Sequence, residues 1–147
     1  MANIRVKLVQ NEQELEDAFS VRQEVFVKEQ GIPAPLEQDV FDAVSQHIVA
    51  YCDDQPIAAG RVRIVDDHVA KVDRVCVLPA YRRKQVGVRM MEKLEHYVKD
   101  YHIDVIKIHA QTHAVPFYET QDYKVTSPEF IDGGAPFRAM EKKMTND

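Results

Sequence analysis

The chain has 147 residues, 45% of them hydrophobic and 29% charged, with a formal net charge of −5. That is the size of one ordinary domain, able to bury a core without disulfides or metal, so a single domain over residues 1–147 is expected. No apolar run nears the roughly 20 residues that span a bilayer, the opening segment Met1 to Leu8 lacks the apolar centre of a signal peptide, and the basic cluster at 82–84 is too short to track a nucleic-acid backbone; a cytoplasmic protein without membrane or nucleic-acid partners is expected.

Ile4 to Val9 alternates apolar and polar residues as a half-buried strand does. Asn11 and Glu14 form an N-terminal capping pair, and Leu15, Phe19, Arg22 and Phe26 recur at helical spacing, which predicts a first helix. Gly31, Pro33 and Pro35 break residues 28–46 into a loop or short helical turns. Three β-rich runs, His47 to Cys52, Ile57 to Val65 and Val69 to Leu78, are separated by turn sequences and predict an antiparallel meander. Cys52 and Cys76 lie inside these runs, where a reduced thiol behaves as a small core residue. Val86, Met90, Leu94, Tyr97 and Val98 form one helical stripe between Arg82 and Tyr101. Val105 to His109 is the next strand, and the helix before it makes a parallel crossover the economical connection. A short helix over Ala114 to Gln121, with Pro116 in its first turn, precedes strands at Tyr123 to Thr126 and Ala139 to Met144. The order predicts an α/β fold, a mixed sheet of six to seven strands flanked by helices.

The junction between the fourth strand and the long helix carries Arg82, Arg83, Lys84 and then Gly87. Backbone N–H groups at a helix start are unpaired and the helix dipole is positive there, so the junction suits a phosphate. Gly87 would let the ligand approach the main chain, whereas three cations that merely solvated a helix start would oppose its dipole. The glycine series of a P-loop or Rossmann turn is absent, and no Cys or His pair has metal-ligand spacing, so no metal is expected.

Arg82-Arg-Lys-Gln-Val-Gly87 resembles the acyl-CoA-binding motif of the GNAT superfamily of N-acetyltransferases: Arg or Gln, two residues, Gly, one residue, then Gly or Ala. Its first small position carries Gln85 here. Val21 to Gln30, Glu37-Gln-Asp39, Asp42 with His47, His109-Ala-Gln111 followed by Phe117-Tyr118, and Phe130 to Met140 are similar to the YjcF/ElaA-type branch, so the resemblance spans nearly the whole chain. Phe137 stands where that branch usually has histidine, and no role of that histidine is carried over. The resemblance implies a mostly antiparallel sheet whose fourth and fifth strands splay apart, with the pantetheine arm of acetyl-CoA lying like an added strand on Val75 and Val77. Arg82, Arg83, Lys84, Gln85, Val86, Gly87 and Val88 would surround the pyrophosphate. It also implies acetyl transfer to a primary amine of a small molecule, and a homodimer.

On the same resemblance, a backbone N–H at Val75 polarises the thioester carbonyl. Tyr118 is the general acid for the departing thiolate, its reference pKa of about 10 standing against about 8.5 for a thiol; a packed core tyrosine is the plain alternative. Lys71 occupies the position where some relatives have a carboxylate base, which leaves Asp73, on the same strand face, or water. A cross-strand ion pair to an arginine is the plain reading of Asp73. Glu37 and Asp39, with Asp42, sit where negative charge would attract an ammonium group; Arg22 and Phe26 either line that acceptor pocket or pack and pair with the acidic loop. Arg22-x-x-x-Phe26 and Glu37-x-Asp39-x-x-Asp42 also resemble acyl-homoserine-lactone synthases, a second reading. A non-catalytic acyl-CoA-binding module is the third, given Gln85, Phe137 and the missing carboxylate.

Overall fold

The computed structural model describes residues 3–144. Strand β1 (Ile4–Leu8) leads into α1 (Glu12–Arg22), whose Asn11 cap accepts a 2.9 Å hydrogen bond from the Glu14 N–H. Truncating such a cap costs about 1 kcal/mol. Past Arg22 the helix widens into a π-helical segment, Gln23–Glu29, before α2 (Ala34–Glu37) and a 3-10 turn, Val40–Val44, that Asp39 and Asp42 cap reciprocally. The expected meander follows as β2 (Gln46–Cys52), β3 (Gln55–Ile64) and β4 (Val69–Val77), all antiparallel. Helix α3 (Val86–Lys99) crosses to β5 (Val105–Gln111), which pairs parallel with β4. Helix α4 (Val115–Glu119), β6 (Lys124–Val125), β7 (Phe130–Asp132) and β8 (Ala135–Lys143) complete the chain.

Spatially the sheet runs β1-β2-β3-β4-β5-β8-β6, with β7 paired to β8. It has eight strands among the described residues, where the sequence pattern suggests six or seven. The additional one, β7, is a three-residue partner of β8 across a turn at Gly133 and Gly134, both at positive φ. Three residues are too few to show strand alternation.

The two faces of the sheet are covered unequally. Met90, Met91, Leu94 and Val98 of α3 are fully buried with Val72, Ile106 and Ile108 on one face, and each such side chain contributes about 1.5–3 kcal/mol by leaving water. On the other face α1 and the π-segment place Ala18, Val21, Val25 and Phe26 over Val49, Ala59 and Cys76. Farther across that second face, Lys107 and His109 of β5 stand exposed. Among the described residues no helix is long and apolar enough to cross a membrane.

Candidate active site

Strands β4 and β5 pair only from Val69 with Val105 to Val72 with Ile108. Beyond that point β5 continues to Gln111 on β8, while β4 continues to Val77 on β3. From Asp73 and His109 onward, therefore, the two strands diverge and leave facing backbone edges, as expected. A bulge in β4 accounts for the bend: Ala59 pairs with Cys76 and Arg61 with Asp73, so Arg74 and Val75 together oppose Gly60. Gly60 leaves the room this needs, since a Cβ there would lie 3.3 Å from Val75 Cγ2. Arg74 has φ of 58°, in the left-handed region that an arginine adopts at a cost of roughly 1 kcal/mol or more.

What holds Arg74 is the loop after α1. Its Nε donates to the Glu37 carbonyl at 3.1 Å, and its guanidinium pairs with the Glu37 carboxylate at 3.2 Å and with Asp39 at 3.3 Å. Behind it Arg61, 1% exposed, uses all five of its N–H donors: two on Asp73 (2.7 and 3.0 Å), two on Asp39 (2.7 and 3.0 Å) and one on Asp42 (2.6 Å). Arg22, equally buried, donates to the Glu37 carboxylate at 2.8 Å, the Glu37 carbonyl at 3.0 Å and both Asp42 oxygens. Burial pushes the Asp42 carboxyl upward, but the hydrogen bonds and charge of Arg22 and Arg61 outweigh it and hold the group down at about 2. His47 closes the cluster, one ring nitrogen meeting the Asp42 carbonyl at 2.8 Å and Nδ1 left without a partner.

This network engages the residues expected to line an acceptor pocket. Arg22 and Glu37 are 1% and 3% exposed, and Phe26 is packed among Val25, Val49 and Cys76. Asp39 and Asp73 are both gripped by Arg61. Three guanidinium groups against four carboxylates leave little net charge to attract an ammonium ion. The plain readings, packing with ion pairs to the loop and a cross-strand pair at Asp73, are what the structure contains.

At the far end of β4 the chain passes a 3-10 turn, Pro79–Tyr81, and enters α3 through two left-handed residues, Arg83 (φ 62°) and Gln85 (φ 65°). The motif's usual glycine at position 85 thus has a conformational reason, which Gln85 meets at a cost. Arg89 is the first α3 residue whose N–H bonds back, to the Gln85 carbonyl at 3.1 Å, so the N–H groups of Val86, Gly87 and Val88 lie before the ladder begins.

Two expectations change here. Arg82 does not stand clear for phosphate: its Nε donates to the Val77 carbonyl at 2.9 Å and its other nitrogens grip Glu29 at 2.6 and 2.8 Å. That also occupies the carbonyl of Val77, one of the two residues expected to pair with pantetheine, while Lys84 lies over the Tyr81 ring at 5.9 Å. The second concerns Gly87. A Cβ on it would sit 3.1 Å from Phe117 Cζ, so its missing side chain makes room for an aromatic ring of α4.

Tyr118 follows Phe117 and is buried, edge-on to both Phe117 and Tyr123. Burial, then the nearby Cys76 and Asp73, push its phenol well above the usual range, so it stays protonated at neutral pH. It belongs to the α3 side of the sheet and is close enough to Asp73 of β4 to feel its charge. Opposite, the exposed face of β5 and β8 holds a shallow depression of about 190 Å³ lined by Lys107, His109, Thr126, Ala139 and Glu141. A larger one, about 360 Å³, lies between β1 and α3 at the other side of the sheet and has no strand gap beside it.

His109 was legible only as part of a resemblance, although the alternation Lys107, His109, Gln111 already places it on one face of its strand. Gln111 exchanges reciprocal amide hydrogen bonds, 2.7 and 3.0 Å, with Gln30 at the end of the π-segment. Glu29 and Gln30 thus bridge the β4–α3 turn and the end of β5.

Comparison with known proteins agrees with this architecture. Residues 9–144 match the acetyltransferase (GNAT) domain family. YjcF of Bacillus subtilis, named as an uncharacterized N-acetyltransferase, is 43% identical over 140 residues, covering 95% of this chain and 99% of that one. A crystal structure from Lactobacillus plantarum, titled as an N-acetyltransferase, superposes with a TM-score of 0.89 at 31% identity, covering 97% and 99% of the two chains. The fold extends to Escherichia coli ElaA, with TM-score 0.81, 24% identity and 97% and 99% coverage. It also extends to the Thermoplasma acidophilum PaiA N-acetyltransferase in complex with coenzyme A, with TM-score 0.75, 18% identity and 97% and 99% coverage. The matched family spans the strand gap, the α3 start and the buried arginine cluster alike, and the chain belongs to the GNAT acetyltransferases.

Proposed function

We propose that the chain is an acetyl-CoA-dependent N-acetyltransferase acting on a primary amine of a small molecule. The observation that carries this reading is the gap between β4 and β5 leading to the start of a 14-residue helix whose first N–H groups precede its own ladder. In this reading Val75, unpaired in the bulge, and Val77 offer main-chain groups to the pantetheine arm. Val86, Gly87 and Val88 offer N–H groups to the pyrophosphate, with Arg83 and Lys84 adding charge, Gln85 setting the turn, and Arg82 holding the turn to β4 and Glu29. Bound acetyl-CoA would supply the acyl group as a thioester. The Val75 N–H polarises its carbonyl, and Tyr118 delivers a proton to the departing sulfur.

Arg22, Phe26, Glu37, Asp39 and Asp42, which carry the likeness to acyl-homoserine-lactone synthases, are tied into the core and the ion-pair cluster and favour no such activity here. The test is calorimetry with coenzyme A, followed by a thiol-release assay with acetyl-CoA and benzylamine, tyramine, histamine and spermidine. Binding together with release is expected. Tyr118→Phe should lower kcat while leaving coenzyme A affinity unchanged. Binding without thiol release across a broad amine panel would favour the non-catalytic module, and absence of binding would refute the assignment.

A further inference from the structure

We infer that His109 is the base that receives the proton of the attacking amine, an assignment that rests on the acetyltransferase reading above. The position follows from register. Val72 and Ile108 are the last paired residues of β4 and β5, so Asp73 and His109 are the first residues on either side of the gap. Both belong to the face away from α3: Asp73 meets Arg61, which also holds Asp39 and Asp42 of the loop after α1, and Lys107, the neighbour of Lys71 across the strands, shares the face with His109. Tyr118 belongs to the opposite face. A thioester carbon held in the gap would have the phenol on one side of the sheet and the imidazole on the other.

Of the side chains at that opening, His109 is the one suited to accept a proton. Arg61 holds both oxygens of Asp73, at 2.7 and 3.0 Å, so that carboxylate is already engaged. Lys71 is a cation. The ring of His109 is accessible, meets Phe130 edge-on at 5.1 Å, and borders the depression that Lys107, Thr126, Ala139 and Glu141 complete. The charged groups around it are Lys71 and Asp73 of β4, Arg63 of β3, Asp132 of β7, Glu141 of β8, and Lys107 of its own strand, which is itself paired to Glu141 at 3.7 Å. Partial burial and then the charge of Lys71 hold the imidazole below the usual histidine value, leaving it neutral at pH 7.

The step balances with the groups present. A neutral amine nitrogen forms a bond to the acyl carbon and the carbon–sulfur bond breaks. The nitrogen proton passes to His109, and sulfur takes its proton from Tyr118. Exchange with solvent then restores the imidazole and the phenol, and amine plus thioester have become amide plus thiol.

His109→Gln keeps a polar side chain without basicity on an exposed strand position, so it should fold. With acetyl-CoA and the fastest amine of the benzylamine, tyramine, histamine and spermidine panel, kcat/KM should fall on the order of a hundredfold or more, with coenzyme A affinity unchanged by calorimetry. With the amine concentration expressed as its neutral form, so that the amine's own ionisation drops out, the acid limb of the wild-type kcat/KM profile should lie below pH of about 6.5. It should move upward in Lys71→Met, because the repelling cation is gone. NMR titration of the imidazole in ¹⁵N-histidine-labelled protein should return the same pKa and the same shift with no turnover at all. If His109→Gln retains more than a tenth of wild-type kcat/KM, or the NMR pKa ignores Lys71→Met, the assignment to His109 falls while the acetyltransferase reading stands. A wild-type protein that does not bind coenzyme A sinks both.

Discussion

Replacing Arg61 with leucine tests whether the buried cluster is a single electrostatic unit. The substitution withdraws five hydrogen bonds at once from Asp39, Asp42 and Asp73 and leaves three carboxylates facing a side chain that solvates none of them. Removing one partner of a buried pair costs about 3–5 kcal/mol, mostly through the uncompensated charge that remains. The pH dependence separates this from a packing defect. Asp42 is depressed from 3.8 to about 2 in the folded protein, which corresponds to about 2 kcal/mol of stability at neutral pH. That contribution is present above the unfolded value near 4 and is lost as pH falls through about 2. In Arg61→Leu the orphaned carboxylates titrate higher, and protonating them relieves the defect. Urea unfolding followed by circular dichroism at pH 7 and pH 3 should therefore show a gap between wild type and variant that is wide at pH 7 and narrower at pH 3. Adding Asp73→Leu should recover part of the loss, because charge and partner then leave together. A gap under about 1 kcal/mol at pH 7, or one that is the same at both pH values, would refute the argument.

Gly87→Ala places a Cβ 3.1 Å from the Phe117 ring and should cost about 1–3 kcal/mol in a denaturant melt, most of it regained with Phe117→Leu; an unchanged midpoint would show that the ring yields freely. Gln85→Gly relieves a left-handed side chain worth roughly 1 kcal/mol, so the thermal midpoint should rise by about 2–4 °C, and a fall would show that the glutamine side chain contributes more than its backbone strain costs. Burial raises the Cys76 thiol to about 12, so native protein at pH 8 should resist alkylation there while urea-unfolded protein is labelled; rapid native labelling, read by peptide mass spectrometry, would contradict its core placement.

The meander, the crossover and α4 were legible because each rests on local signals: alternation in β2 to β4, the stripe of α3, and Pro116 in a first turn. The bulge was hidden, since Arg74 adopts a conformation that usually calls for glycine or asparagine and is held there by a loop 35 or more positions away. Separation along the chain, though shorter, also hid the ion-pair cluster. Arg61 lies 22 residues from Asp39 and 19 from Asp42 in the chain, so composition could flag the loop as acidic without showing that arginines neutralise it. Gly87 was legible as a small residue, but its reason lies in a ring on another helix. Tyr118 and His109 were each visible on one element; the proposal that they flank one opening depends on where β4 and β5 cease to pair.

The place where β4 and β5 cease to pair, with α3 on one side of the sheet and exposed residues of β5 on the other, has a kinetic corollary. On the proposed reading thioester and amine approach that gap from opposite faces of the sheet, so neither has to vacate for the other to arrive, and no side chain needs to carry the acetyl group between visits. Initial-velocity lines at varied concentrations of both reactants should accordingly intersect, the mark of a ternary complex, instead of running parallel as in a ping-pong scheme.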